Sequence, residues 1–163
     1  MIKNILNLGD AALYCDFGQE VNKDINKQVI RYFKSLQKEN FLGVNNITPS
    51  YNKLIVSFDL RKTNFKDLKK KFENLNLSYN PLLQSKKIKI PVCCEEKFSL
   101  DINTLEQNLK INREIIYRNF FDKEFFCYMT GFIAGMPFLG DLDKNMRTKR
   151  LKTPRVKVPK GSV

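Results

Sequence analysis

The sequence predicts an α+β protein. Two segments place apolar residues on one face at helical spacing, several shorter segments alternate apolar and polar residues, and over residues 1–85 strands and helices follow one another in a fixed order. Ile2, Ile5, Leu6 and Leu8 open the chain as a short strand, Gly9-Asp10 reads as a turn, and Ala11 to Phe17 make a second strand closed by Gly18. A helix follows from about Asn22 to Asn40, with Ile25, Val29, Tyr32, Phe33 and Leu36 on one face and Gly43 just past its end, where a left-handed residue is wanted. Val44–Thr48 is a strand, Pro49-Ser50 a turn, and Lys53 to Asp59 a half-buried strand in which Leu54, Val56 and Phe58 alternate with Ile55 and Ser57. Asn64 caps a second helix with the stripe Phe65, Leu68, Phe72 and Leu75, leaving Lys69, Lys70 and Lys71 as a solvated face.

Asn80-Pro81 breaks the chain, and Ile88, Ile90 and Val92 alternate as one more strand. This order suits a small sheet with two helices on one face, a ferredoxin-like arrangement over residues 1–85. Residues 86–163 read differently. Short helices are expected from Asp101 to Leu109 and from Asn112 to Asn119, and an aromatic strand from Glu124 to Met129. A glycine and proline loop and a basic stretch from Lys144 to Lys160 follow, and the pattern breaks off at Val163 as a new strand begins, so the chain reads as the leading part of something longer.

Composition narrows the chemistry. The chain has 163 residues, 42% of them hydrophobic, enough for a real core. No apolar run spans a bilayer and the N-terminus lacks a signal-peptide pattern, so no membrane partner is expected. Cys15, Cys93, Cys94 and Cys127 show no CxxC spacing for zinc and read as free thiols in a reducing cytoplasm. There is no histidine, so no Ser-His-Asp triad, Cys-His dyad or His-ligated metal can be assembled from this chain, and no metal is expected. The net charge of +12 raises the question of nucleic acid. Lysine is scattered along the whole length, however, and the basic stretch lacks interleaved aromatics, so nucleic acid is not expected as a partner.

Gly131-Phe132-Ile133-Ala134-Gly135-Met136-Pro137-Phe138-Leu139-Gly140 is the most informative segment. Two glycines four apart and a proline suit an irregular loop whose backbone can approach another surface closely; the plain structural reading is a tight corner between strands. No Gly-Lys-Ser/Thr follows, so it is not a Walker-type phosphate loop.

The segment resembles the GFxPGFPYLG loop of the allophanate hydrolase subunit 1 family, which includes the kinase inhibitor KipI and the 5-oxoprolinase B subunit (PxpB) and is of the carboxyltransferase subdomain C and D type. Gly9-Asp10-Ala11-Ala12-Leu13 with Phe17-Gly18, Asn26, Pro49-Ser50-Tyr51 with Leu54 and Phe58-Asp59, Ile90-Pro91-Val92, and Arg150 with Thr153-Pro154-Arg155 and Val158-Pro159-Lys160-Gly161-Ser162-Val163 resemble further family motifs in order. The departures are Ala134 for proline, Met136 for phenylalanine, Phe138 for tyrosine, Lys160 for alanine, and no histidine near Asn119.

The resemblance implies a ferredoxin-like domain, residues 1–85, and the start of a cyclophilin-like β-barrel, residues 86–163, left incomplete. It implies one member of an ATP-dependent 5-oxoprolinase complex that converts 5-oxoproline to glutamate. Its partners there would be a KipA-like, carboxyltransferase-homologous subunit (PxpC-like) with a third, lactam-opening one. The alternative is a non-catalytic, KipI-like inhibitor of a sensor histidine kinase. On the first reading ATP is a cofactor of the complex. Gly131, Phe132, Gly135, Met136, Pro137 and Phe138 form a substrate and partner junction, the amides near Gly131 and Gly135 face developing negative charge, and Arg155 is an anion-binding fork. No catalytic residue is assigned, and the chain alone is expected to be inactive.

Overall fold

The computed structural model describes residues 2–77 and 86–162. The chain divides into two compact units, Met1–Lys87 with Phe126–Gly140, and Ile88–Phe125 with Asp141–Val163. The Asn80-Pro81 break lies outside the described residues.

In the first unit β1 (Asn4–Asn7) and β2 (Ala12–Asp16) form a hairpin closed by the Leu8 amide donating to the Ala12 carbonyl at 2.9 Å. Gly9, with φ +61, occupies the turn. Helix α1 (Lys23–Glu39) begins where the Asn22 side chain accepts from the Ile25 amide at 2.9 Å, satisfying a first-turn donor. It ends at Asn40, which takes the left-handed conformation itself (φ 45). Gly43, expected to end this helix, instead lies in the turn into β3, where an added Cβ would sit 2.8 Å from the Thr63 side chain. β3 (Val44–Pro49) and β4 (Lys53–Phe58) form a second hairpin, and α2 (Phe65–Glu73) follows with Asn64 as its N-cap.

The sheet order is β1-β2-β4-β3 with antiparallel neighbours throughout. β2 and β3 therefore run parallel on either side of β4, joined by the crossover helix α1. One face carries Ile5, Leu13, Cys15, Leu54, Val56 and Phe58, and both helices bury their stripes against it. Val29, Leu36, Leu68 and Phe72 are buried, and Ile25, Phe33, Phe65 and Leu75 pack at the margin of the same core. Each fully buried Leu or Val contributes roughly 1.5–3 kcal/mol relative to exposure. Burial pushes the Cys15 thiol up to about 12, so this cysteine stays protonated and inert inside the core. At the end of β2, Asp16 faces its register partner Lys53, whose ammonium holds the carboxyl below the usual range.

The strand expected at Ile88–Val92 is not formed. These residues have no regular structure, and Ile88 and Ile90 are exposed. The edge beside β2 is already filled by β1, so the alternating pattern finds no backbone to pair with there.

The second unit holds α3 (Ile102–Leu109) and α4 (Arg113–Phe121), close to the two helices expected. Ile102, Ile116 and Met146 form a small core bordered by Leu105, Leu109, Ile111, Tyr117 and Leu142. Glu106 receives both the amide and the guanidinium of Arg113, which lowers its pKa and ties the two helices together. No strand occurs in this unit among the described residues.

Candidate functional site

The strand expected at Glu124–Met129 is β5 (Phe126–Thr130), and it pairs with β6 (Pro137–Gly140). The segment read as one irregular loop is thus divided into a hairpin tip, residues 131–136, and a strand. Pro137 is tolerated as the first residue of that strand because its partner needs no amide from it at an edge. Tyr128 is the extra residue of a bulge between Cys127 and Met129, and its ring is buried. Gly140 sits against that ring: an added Cβ would stand 2.5 Å from Tyr128 Cε2.

The hairpin is held on the rest of the first unit by groups from α1 and the β3–β4 turn. Asn26 lies on the buried side of α1, and its amide donates to the carbonyls of Ser50 (3.2 Å), Tyr51 (2.9 Å) and Tyr128 (3.1 Å). The Tyr51 ring packs on Tyr128 (5.5 Å between centroids) and edge-on to Phe138 (6.2 Å). The Ser50 hydroxyl meets the Met129 sulfur at 3.5 Å, and the Lys23 ammonium lies 5.6 Å from the centre of the Phe126 ring. The β3–β4 turn that supplies Ser50 and Tyr51 is itself pinned. Asn52 donates to the carbonyls of Gly18 (2.9 Å) and Glu20 (3.0 Å), and its own carbonyl accepts from the Phe17 amide.

The tip beyond this seat is closed by its own backbone. The Gly131 amide donates to the Met136 carbonyl (3.1 Å), and the Ile133 amide to the Gly131 carbonyl (2.8 Å). The Gly131 amide, a sequence candidate for facing developing charge, is therefore engaged within the turn. Gly135 (φ +81) has open space around it, so its glycine is required by backbone conformation rather than by crowding. Phe132 also adopts a positive φ, 67°, unusual for a bulky side chain, and its side chain is 92% exposed. With Ile133 and Met136, which are also exposed, it makes an apolar tip.

Arg155 belongs to the second unit, where its guanidinium is engaged by the Asp101 carboxylate. An anion would have to compete with that carboxylate. Among the described residues no group of three or more His, Cys, Asp or Glu is placed to hold a metal ion, and no described helix is long and apolar enough to cross a membrane.

Residues 3–163 match the carboxyltransferase domain, subdomain C and D. The chain belongs to that family. Its curated relatives include the 5-oxoprolinase B subunit of Bacillus subtilis (strain 168), 26% identical over 171 residues that cover 98% of this chain and 71% of the relative. Another is the 5-oxoprolinase B subunit of Haemophilus influenzae, 29% identical over 167 residues, 98% of this chain and 74% of the relative. Among solved structures, TTHA0988 superposes with a TM-score of 0.79 at 22% identity, over 92% of this chain and 29% of that chain. The urea amidolyase of K. lactis matches with a TM-score of 0.53 at 12% identity, over 78% of this chain and 9% of the enzyme. These two show a shared fold. The present chain thus spans less than a third of the longer proteins in which the same fold is embedded.

Within this carboxyltransferase-family chain, the tip residues are legible from the sequence, whereas Asn26 stands out there only as matching a family asparagine. The seat of the hairpin on Tyr51 and Tyr128 is not legible there. A signal was present for Asn26: a polar side chain one position after Ile25, within the apolar stripe of α1, where a buried amide must find partners.

Proposed function

We propose that this chain is the B subunit of an ATP-dependent 5-oxoprolinase and that the tip at residues 131–136 is its junction with another protein of that assembly. The two curated relatives support the first part, since each is a 5-oxoprolinase B subunit that matches nearly all of this chain. The observation that carries the second is Phe132, strained at φ +67 and 92% exposed, at the end of a hairpin tied down at its base. Folding alone gains nothing from an exposed aromatic in that conformation, whereas a partner surface would bury it.

In the reaction, ATP phosphorylates the amide oxygen of the lactam, the carbonyl carbon becomes a better electrophile, and water opens the ring to glutamate with loss of phosphate. On this reading the chain works only within an assembly, in the cytoplasm, with the KipA-like subunit (PxpC-like) on one hand and the lactam-opening one on the other. Gly131, Phe132, Gly135, Met136, Pro137 and Phe138 line the junction, and Arg155, released from Asp101, offers a guanidinium to an anionic group. The same reading describes residues 1–85 as a ferredoxin-like domain and residues 86–163 as the beginning of a cyclophilin-like barrel, with the β5–β6 hairpin of the later stretch seated on the earlier one.

The test is to purify the tagged protein from its host and identify what accompanies it. The KipA-like and lactam-opening proteins should co-purify, and the assembly should release glutamate from 5-oxoproline only when ATP is present. Recovery without those two proteins, or with a sensor kinase in their place, would refute the proposal.

A further inference from the structure

We infer that Asn26 is the positioning residue of the hairpin: one buried side-chain amide sets where the apolar tip stands. Among the described residues β5 and β6 pair only with each other, and an isolated two-stranded hairpin is marginal in water. Its fixed placement therefore depends on what joins it to the rest of the first unit. Contacts from that side include those of Lys23, Asn26, Ser50 and Tyr51. Among these, Asn26 is the buried one, at 2% exposure, and it donates to Tyr128 across 102 positions of sequence.

Its chemistry fits the task. A primary amide has two N–H donors. Three carbonyl oxygens converge on this nitrogen, two from the β3–β4 turn and one from β5, so one hydrogen is shared. The turn and the hairpin are thereby bound to a single atom, and Tyr51, carried by that turn, is brought against Tyr128 and Phe138. The turn cannot drift, because Asn52 holds its other side to Gly18 and Glu20.

The replacement Asn26→Ala isolates this role, because it removes both donors without adding charge and alanine suits a helix. Asn26→Asp does not, since it would bury a carboxylate against three carbonyl oxygens and cost stability throughout. Asn26→Leu, which keeps the volume without donors, carries the same test should the alanine variant fold poorly.

Hydrogen exchange followed by mass spectrometry compares peptides covering residues 126–140 with peptides covering β4. In either variant, exchange over 126–140 should accelerate at least tenfold, on the order of one lost anchoring bond, while β4 keeps its rate. Acceleration shared equally by β4 would mean Asn26 is an ordinary core residue, and no acceleration at 126–140 would mean the rings hold the hairpin without it; either result overturns the inference. A second measurement rests on the proposed assembly: affinity for the partner protein should fall about tenfold although every tip residue is intact. If the assembly proposal fails, no partner binds even the unaltered chain, while the exchange result still stands or falls by itself.

Discussion

Phe132→Gly separates a residue kept for folding from one kept for docking. A bulky residue held at φ +67 costs roughly 1–2 kcal/mol, which glycine would not incur. Glycine in turn loses more freedom on folding, about 0.5–1 kcal/mol. The side chain is 92% exposed, so truncating it forfeits a few tenths of the roughly 1.5–3 kcal/mol that full burial of a phenylalanine provides. These terms nearly cancel or slightly favour the variant, and the melting temperature should stay within about 3 °C of the parent or rise. Binding should behave in the opposite way. If a partner protein buries this ring, its loss removes about 1.5–3 kcal/mol from the complex, roughly a ten- to hundredfold weaker Kd. Differential scanning calorimetry and surface plasmon resonance on the same preparation read the two quantities. A melting temperature lowered by more than about 5 °C, or a partner affinity left unchanged, would show that the ring does not do what its exposure and strain suggest.

Gly140→Ala should damage the hairpin specifically, because its Cβ would meet the Tyr128 ring at 2.5 Å; near-ultraviolet circular dichroism of the tyrosines should change, and an unchanged spectrum with an unchanged melting temperature would contradict the packing described. Leu13→Ala removes a side chain with no exposed surface from the middle of the sheet face and should cost about 2–5 kcal/mol in urea unfolding at constant m-value. The acid arm of stability should come from Asp16, Asp59 and Glu106, the last lowered by Arg113. Lys53 holds the first below the usual range, and the Arg61 guanidinium and amide lower the second to about 2. A depressed folded-state pKa contributes stability above the unfolded value, near 4, that is lost as pH falls through the folded value. The melting temperature should thus decline between about pH 4 and 2, less steeply in Asp16→Asn, and should show no histidine step near pH 6.5, since the chain has none.

The first unit was legible because its signals are local and periodic. The stripes of α1 and α2 specify which faces are buried, and the alternation of Leu54, Val56 and Phe58 gives β4 its inward side. Asn64 marks the start of α2 by a hydrogen bond three residues long. What was misread depends on neighbours distant in sequence. Ile88, Ile90 and Val92 alternate as a strand would, but pairing is decided by which edge is vacant, and β1 had filled it. Gly43 looked like a helix end, yet Asn40 reached the left-handed region first and Gly43 serves the approach of Thr63. The site was half legible. Glycines and a proline announced an unusual segment at 131–140, but composition carries no sign that Pro137–Gly140 would pair with Phe126–Thr130, or that Tyr51 would lie beneath them.

The bond from Asn26 to Tyr128 has a consequence for how the protein is made. At synthesis rates of about 5–20 residues per second, the chain from the end of α2 at Glu73 to the start of β5 at Phe126 takes roughly 3–10 s to emerge, far longer than a small helix-and-sheet unit needs to collapse. On that timescale there is time for Asn26 to gather the carbonyls of Ser50 and Tyr51 before Tyr128 has been made, and until then the face of the Tyr51 ring that Tyr128 covers has no partner from β5. The arrival of residues 126–140 closes that window.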